Sequence, residues 1–278
     1  PVALRSSFPA ASLFKIVTAA AAIEEAGMVG NDVIRYRGGD YTLNRYNFNP
    51  DNRRDTNQMS FYTAFGKSCN PVFARIGLQT LSDNSLEQFA HVFGFNSHIP
   101  FSFPLDQSTY NEPKDDFFRA RTAAGFNGAF ISPVHAAMIG ASIANGGLMH
   151  NPVVVDSIIA PDGTKLFKNE QSRGRRVLMQ STADSLFKIM KSSSDKGTAS
   201  KTFNRVSRVL PELSIPSKTG TLSGVNPQGR NHWLIATGPN KDSDIAIAAL
   251  VVDPGYARIN GTGIGAEFLD FYFRTYPN

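Results

Sequence analysis

The chain has 278 residues, of which 41% are hydrophobic and 18% are charged, and its formal net charge is +5. This composition supports a substantial core and excludes an intrinsically disordered protein. The longest apolar stretch, at residues 19–23, is far shorter than the roughly 18 residues that cross a membrane, and no signal-peptide pattern opens the chain. A single cysteine, Cys69, excludes an internal disulfide and a cysteine-based zinc site.

The positive net charge favours anionic surroundings such as nucleic acid, anionic lipid or a cell envelope. The basic residues are scattered, apart from Arg53 and Arg54 and a run at residues 173–176. Neither run alternates with the aromatic residues that a groove for single-stranded nucleic acid uses. We therefore expect solvated basic surfaces and no nucleic-acid partner. The histidines show no ligand spacing, so we expect no metal and no cofactor.

The first predicted element is a helix over residues 12–25, which ends at Gly27. Its apolar residues surround the helix almost completely, which predicts a buried, central position. Residues 29–58 are rich in Gly, Asn, Asp and Arg and indicate loops with at most short strands. From residue 59 to about 147 the apolar spacing is helical, with helices predicted within residues 60–81, 84–94 and 132–146.

After residue 147 the pattern indicates strands. A hairpin is predicted around the turn at residues 161–163, followed by a helix at residues 182–191. Three strands are then predicted within residues 213–222, 232–238 and 245–252. The glycine-rich residues 261–265 are interpreted as a tight strand-to-helix turn before a last helix at residues 266–276.

These elements predict an α+β or α/β fold, with an antiparallel sheet flanked by helices and an inserted all-helical lobe. The α/β lobe is expected at about residues 1–30 and 148–278, and the helical lobe at about residues 59–147.

Ser12 and Lys15 lie three residues apart on the first predicted helix, so their side chains share a face. A serine hydroxyl needs a base to become a nucleophile, and a lysine can be that base if burial and a helix N-terminus lower its pKa. The spacing alone is a weak signal, because it recurs at Ser185 and Lys188 and again at residues 193–196. The second copy stands on an amphipathic helix where nothing would desolvate the lysine.

Two further motifs give Ser12 its context. They are Ser68-Cys69-Asn70 in the helical region and Lys218-Thr219-Gly220-Thr221 on the first of the three C-terminal strands. A strand with the second motif presents a cation and two hydroxyls that suit a substrate carboxylate, and its glycine would let a substrate backbone approach closely. Each motif is weak alone, but the three in this order form a strong joint signal.

The three motifs resemble those of the penicillin-binding proteins and serine β-lactamases. Residues 131–147, 197–199 and 232–254 resemble the transpeptidase branch, so the likeness covers nearly the whole chain. The resemblance implies a peptidoglycan D,D-transpeptidase that is inhibited covalently by β-lactams. It also implies an extracytoplasmic location, with an anchor in a segment outside this chain. The implied partners are donor and acceptor stem peptides, β-lactam antibiotics and other cell-wall synthesis proteins.

By the same resemblance, Ser12 attacks the carbonyl of the penultimate D-alanine, and Lys15 is the general base. Ser68 passes a proton to the leaving D-alanine, and Asn70 holds the substrate amide. The backbone N–H groups of Ser12 and Thr221 form the oxyanion hole. The resemblance adds Lys218 to the catalytic residues and Thr219, Gly220 and Thr221 to the substrate-binding residues.

The chain departs from the family pattern in two places. Sheets of this family begin with two strands before the nucleophile, whereas eleven residues precede Ser12. We therefore expect those strands, and any preceding domain, to be absent from this chain. The usual Gly-Gln-Gly of the helical region is replaced by Gly-Phe-Asn-Gly at residues 125–128, which puts the shape of that side of the cleft in question.

Other functions of the same fold stay open. A D,D-carboxypeptidase uses the same motifs, and a serine β-lactamase or β-lactam sensor is a further alternative. The chain lacks the Glu-x-x-Leu-Asn run of class A β-lactamases, and it has Asn70 where class D enzymes have valine, which favours slow deacylation. An alternative of another class is a non-catalytic domain that binds cell-wall peptides or partner proteins. Acylation of Ser12 separates it from the enzymes.

Overall fold

The computed structural model describes residues 1–169, 174–240 and 244–276, so residue 173 of the second basic run lies outside the described residues. The α-helices are α1 (Lys15–Ala26), α2 (Phe61–Lys67), α3 (Asn70–Arg75), α4 (Ser85–Phe93), α5 (Asp116–Ala123), α6 (Pro133–Ala144), α7 (Gln180–Asp195), α8 (Ser200–Val206), α9 (Val209–Leu213) and α10 (Gly261–Thr275). Within these ranges no helix has the length and apolar character of a membrane span.

The strands are short except for three near the C-terminus. They are β1 (Phe8–Pro9), β2 (Val33–Tyr36), β3 (Asn57–Ser60), β4 (Thr109–Tyr110), β5 (Ala129–Ile131), β6 (Leu148–Met149), β7 (Ser157–Ile159), β8 (Lys165–Lys168), β9 (Arg175–Arg176), β10 (Ser217–Val225), β11 (Gln228–Thr237) and β12 (Ala246–Asp253). The predicted hairpin around residues 161–163 is present as β7 and β8, and the helix predicted at residues 182–191 lies within α7.

The main sheet is antiparallel and has the order β10-β11-β12. Alternate residues of β11 face opposite sides of the sheet. Ile235 belongs to the larger core, against which α6 packs, whereas Leu234 belongs to a second core beneath α10. The antiparallel sheet with helices on both faces confirms the predicted fold class.

Helix α1 is the buried centre that its apolar sequence predicts. Each of its residues from Lys15 to Ala22 is buried, and the helix contacts both α4 and α7. Small alanine side chains allow neighbouring helices to approach closely. The helix ends at Gly27, which has the left-handed φ of 64° that a helix C-terminus favours.

Residues 59–147, for which an inserted all-helical lobe is predicted, are mostly rather than entirely helical. They contain α2 to α6, but they also contain β4 and β5, which form a small sheet of order β1-β5-β4. Phe8 of β1 pairs with Ile131 of β5. The pairing satisfies backbone groups of the segment that leads to Ser12, and periodicity cannot reveal strands this short.

The prediction of a turn at residues 261–265 is wrong, because these residues form the start of α10. Asn260 caps the helix by accepting a hydrogen bond from the backbone N–H of Gly263 at 2.9 Å. A Cβ atom at Gly261 would collide with the carbonyl oxygen of His232, and one at Gly265 would collide with Leu234. The glycines therefore allow the helix to lie directly against the sheet.

Candidate active site

Ser12 lies in a 3₁₀ turn at Ala11–Phe14, which leads directly into Lys15, the first residue of α1. The turn is sharp, because Ala11 has a left-handed φ of 51° that non-glycine residues rarely adopt. The segment before it is held on two sides. The indole Nε1 of Trp233 donates to the carbonyl of Pro9 at 2.9 Å, and the N–H of Ala10 donates to the carbonyl of Ala129 at 2.9 Å. The half-buried Ser12 hydroxyl is thereby fixed in place while staying accessible.

Lys15 is fully buried, and its Nζ atom has three neighbours. It lies 2.9 Å from the Oγ of Ser12, 2.8 Å from the Oδ1 of Asn70 and 2.5 Å from the carbonyl oxygen of Ala124. Burial lowers the pKa of Lys15 well below its ordinary value, and the charge of Lys218 lowers this pKa further. A neutral amine can donate to Asn70 and Ala124 while its lone pair accepts the Ser12 proton.

The second motif lies at the connection between α2 and α3. Ser68 ends α2 with a left-handed φ of 58°, and Asn70 begins α3. The Nδ2 of Asn70 donates to the carbonyl of Tyr41 at 2.8 Å, so its Oδ1 is directed towards Lys15. This connection brings a hydroxyl and an amide to the same cleft as Ser12.

Lys218 on β10 is the second fully buried lysine of the site. Its Nζ atom donates to the Oγ of Ser68 at 2.9 Å and to the carbonyl of Thr219 at 2.9 Å. Burial lowers the pKa of Lys218 to about 7. The site therefore holds two lysine–serine pairs, one formed by Lys15 with Ser12 and one formed by Lys218 with Ser68.

Strand β10 runs directly beside the 3₁₀ turn that contains Ser12. A Cβ atom at Gly220 would lie 3.3 Å from the backbone nitrogen of Ser12 and 3.2 Å from the Cβ of Ala11. The glycine thus lets the protein's own backbone approach closely here, a different reason from the predicted approach of a substrate. The next residue, Thr221, is exposed, and its Oγ1 lies 3.4 Å from the Nδ1 of His232.

Sequence reasoning missed three groups that complete the site. Two are backbone carbonyls, those of Ala124 and Tyr41, which accept from Lys15 and Asn70 and carry no signal in the sequence. The third is Thr198, whose Oγ1 lies 2.5 Å from the Oγ1 of Thr219. Its Gly-Thr-Ala context at residues 197–199 was the signal that could have found it.

The second copy of the Ser-x-x-Lys motif lies apart from these groups. Ser185 is half-buried on α7, and its Oγ donates to the carbonyl of Ser181 at 2.9 Å. Lys188 is exposed, so its ammonium group stays solvated. The structure gives this pair no environment that would turn the lysine into a base.

Three comparisons with known proteins bear on this arrangement. The sequence model of the family described as penicillin binding protein transpeptidase domain matches residues 2–269. Peptidoglycan D,D-transpeptidase PbpA of Mycobacterium tuberculosis is 30% identical over 274 residues, which cover 94% of this chain and 53% of that protein. The protein of the same name from Mycolicibacterium smegmatis is 29% identical over 269 residues. The chain spans about half the length of these relatives.

Solved structures give the same result. Penicillin-binding protein A from M. tuberculosis, as an imipenem acyl-enzyme complex, has a TM-score of 0.76 at 27% identity, with 98% of this chain and 61% of that chain covered. The D,D-transpeptidase domain of a peptidoglycan glycosyltransferase from Eggerthella lenta shares the fold, with a TM-score of 0.79 at 24% identity over 99% of this chain and 67% of that chain. The chain therefore belongs to the family of penicillin-binding protein transpeptidase domains.

Proposed function

We propose that this chain is the catalytic domain of a peptidoglycan D,D-transpeptidase, with Ser12 as the nucleophile. The observation that carries the proposal is the 2.9 Å contact between the fully buried Nζ of Lys15 and the Oγ of Ser12. A buried lysine without a carboxylate partner is unfavourable for folding and useful as a base. The relatives named D,D-transpeptidase and the imipenem acyl-enzyme of the M. tuberculosis protein support the same reaction.

In the acylation step, neutral Lys15 accepts the proton of Ser12 as the serine oxygen attacks the carbonyl carbon of the penultimate D-alanine. The carbonyl oxygen gains negative charge and faces the backbone N–H groups of Ser12 and Thr221. When the peptide bond breaks, Ser68 passes a proton to the departing nitrogen, and the proton taken by Lys15 passes to Ser68 and restores its hydroxyl. The terminal D-alanine leaves, and an ester to Ser12 remains.

In the second step, the amine of an acceptor stem peptide attacks the ester. A proton leaves the amine, Ser12 recovers its hydroxyl, and a new peptide bond joins the two stem peptides. The substrate carboxylate is held by Lys218, Thr219 and Thr221, and Asn70 holds the substrate amide. β-Lactams imitate the D-alanyl-D-alanine end and stay attached to Ser12. A D,D-carboxypeptidase would use the same acyl-enzyme with water as the acceptor.

The proposed location is the outer side of the cytoplasmic membrane, where peptidoglycan is assembled. The proposed partners are donor and acceptor stem peptides and β-lactam antibiotics, with other cell-wall synthesis proteins as binding partners.

The test is to mix the protein with benzylpenicillin and to follow its intact mass over time, with Ser12→Ala and Ser185→Ala for comparison. We expect one stable adduct that forms in the wild type and in Ser185→Ala and is missing from Ser12→Ala. An adduct that forms and disappears within seconds would make the protein a β-lactamase. No adduct with a correctly folded protein would favour a non-catalytic binding domain.

A further inference from the structure

A cleft of about 390 Å³ opens beside the proposed active site. Lys67, Lys196 and Lys201 contribute to its lining, and each of these side chains is exposed. Lys67 immediately precedes Ser68, so the cleft begins one residue from the second motif. Three cations thus converge on a concave surface next to the site.

The other walls of the cleft are also tied to the site. Thr198 lines the cleft, and its Oγ1 lies 2.5 Å from the Oγ1 of Thr219. The backbone N–H of Thr198 donates to the carbonyl of Gly66 at 3.0 Å, which fixes this wall against the end of α2. Tyr41 also lines the cleft, and its carbonyl accepts from Asn70. The cleft is therefore a continuation of the active site.

The charges of the cleft are unbalanced. Asp40 is the one carboxylate among the described lining residues, and its Oδ1 accepts from the hydroxyl of Tyr36 at 2.7 Å. In the part of the chain that the structure describes, none of the three lysines forms an ion pair. A concave surface with unpaired cations attracts an anion from solution.

The position of the cleft indicates which part of the substrate it faces. Gly220 lies beside the backbone of Ser12, and Thr219 precedes it on β10. Thr198 contacts Thr219, and Lys67 directly precedes Ser68, so the cleft lies towards Lys218 and the proposed proton donor Ser68, which accepts from Lys218. In the proposed reaction, this is the side from which D-alanine leaves and the acceptor enters.

We infer that the cleft is a subsite for a carboxylate of the acceptor stem peptide, remote from the attacking amine. The inference rests on the proposed transpeptidase function. The carboxylate adjacent to the amine takes the place of the leaving D-alanine carboxylate near Lys218, Thr219 and Thr221. A second carboxylate further along the acceptor then reaches Lys67, Lys196 and Lys201.

The test uses a thioester of an N-acylated D-alanine as the acyl donor and two D-amino acids as acceptors. D-2-Aminopimelate carries a second, remote carboxylate, whereas D-norleucine has an uncharged side chain. We expect the ratio of aminolysis to hydrolysis to be about threefold to tenfold higher with D-2-aminopimelate, the size of effect that a few exposed ion pairs produce. Rising salt concentration should reduce this preference by screening.

Three variants sharpen the test. The triple variant Lys67→Ala/Lys196→Ala/Lys201→Ala should lose the preference for D-2-aminopimelate over D-norleucine. The single variant Lys201→Glu should show a smaller preference than the wild type. Lys165→Ala is the matched control, because Lys165 is an exposed lysine on the separate β7–β8 hairpin. Acylation and aminolysis without any preference between the two acceptors would overturn the subsite and leave the transpeptidase proposal intact. Absence of donor turnover and of the penicillin adduct in the wild type would instead overturn the proposed function.

Discussion

Lys15 and Lys218 are both fully buried, and within the described residues neither forms an ion pair. Their partners are neutral oxygens, which satisfy the N–H groups without compensating a positive charge. Burial therefore lowers the pKa of both lysines. Such an arrangement is unfavourable for stability and is typical of a site where lysines exchange protons with hydroxyl groups.

Replacement of Lys15 by alanine tests its role as the base. We expect the rate of acylation by benzylpenicillin to fall by about 10²- to 10⁴-fold, because Ser12 then lacks a positioned proton acceptor. The rate is measured from the intact mass of the adduct over time. Lys188→Ala is the matched control from the second Ser-x-x-Lys motif and should acylate like the wild type. An unchanged rate in Lys15→Ala would remove Lys15 from the mechanism.

The lowered pKa of Lys218 also predicts how stability depends on pH. Between about pH 7 and the ordinary lysine value of 10.5, the unfolded chain binds a proton at this residue that the folded protein does not bind. The free energy of unfolding should therefore rise with pH in this window, by up to about 1.4 kcal/mol per pH unit from this group. Lys218→Met should remove that contribution to the slope. Urea unfolding at several pH values measures how the free energy of unfolding changes with pH. The same pH dependence in the wild type and in Lys218→Met would contradict the prediction.

The side chains of the candidate site could be predicted from sequence, whereas the backbone carbonyls that accept their hydrogen bonds could not. Serine, lysine and asparagine at fixed spacing form motifs, so Ser12, Lys15 and Asn70 were identified. The carbonyls of Ala124 and Tyr41 belong to backbone that any residue could supply. Their positions depend on how distant segments pack, which spacing along one segment does not encode.

At the scale of elements, the loop after α5 determines where the carbonyl of Ala124 lies. The hydroxyl of Thr18 on α1 donates to the carbonyl of Ala123 at 2.9 Å and fixes the end of α5 to α1. Gly125 follows with a φ of +83°, and a Cβ atom there would collide with the carbonyl oxygen of Ala11. The loop can approach Ser12 only because residue 125 lacks a side chain.

Gly125→Ala should therefore weaken both the fold and the site. A positive φ alone costs an alanine about 1–2 kcal/mol, and the collision with Ala11 adds to this. Gly163→Ala is the matched control, because Gly163 has a φ of +86° but no atom within 4 Å of its Cβ position. We expect a larger loss of unfolding free energy in Gly125→Ala, and slower acylation in this variant alone. Equal effects of the two substitutions on both measurements would refute the role of the contact.

A buried ion pair joins α3 to the loop that precedes β3. The guanidinium of Arg75 is bound to both carboxylate oxygens of Asp55, at 3.0 and 2.9 Å, and Nη1 also donates to the carbonyls of Asn47 and Phe48. Burial alone would raise the pKa of Asp55, but the hydrogen bonds from Arg75 and from the backbone N–H of Asp51, together with the charges of Arg75 and Arg37, hold this pKa below its usual value. The same loop carries Tyr41, whose carbonyl holds Asn70.

Asp55→Ala should destabilise the protein by about 3–5 kcal/mol, because Arg75 is left buried without its partner. The double variant Asp55→Ala/Arg75→Met should be more stable than Asp55→Ala, since it removes the unpaired charge. Urea unfolding of the wild type and these variants measures the coupling. If the double variant were less stable than Asp55→Ala, the unpaired charge would not be the cause of the loss.

The long elements were predicted from periodicity, whereas the short and glycine-rich ones were not. Strands β10, β11 and β12 have apolar runs between turn residues and were found, but β4 has only two residues and gives no periodic signal. The start of α10 was missed because glycine disfavours helices in isolation. Its contact with the sheet, which requires glycine, outweighs this preference.

At the scale of the whole molecule, the candidate site is assembled from segments that are distant in sequence. The site combines the 3₁₀ turn before α1, the start of α3, the end of α5 and strand β10, which contribute Ser12, Asn70, Ala124 and Lys218. One continuous core connects these parts, because the same buried cluster includes residues of α1, of α2 to α6 and of β11. The site should therefore exist only when all of these segments are folded.

This continuity predicts that acylation is lost together with the global fold in denaturant. The single tryptophan, Trp233, is fully buried in the main sheet and donates a hydrogen bond to the Pro9 carbonyl, so its fluorescence reports the sheet and its contact with the segment before Ser12. Far-UV circular dichroism reports mainly the helices, and the fraction acylated by a short pulse of benzylpenicillin reports the site. We expect the three signals to share one urea midpoint, as a cooperative transition requires. Loss of acylation at a lower urea concentration than the tryptophan signal would mean that the helical segments around the site open independently of the main sheet, and that the core does not couple them.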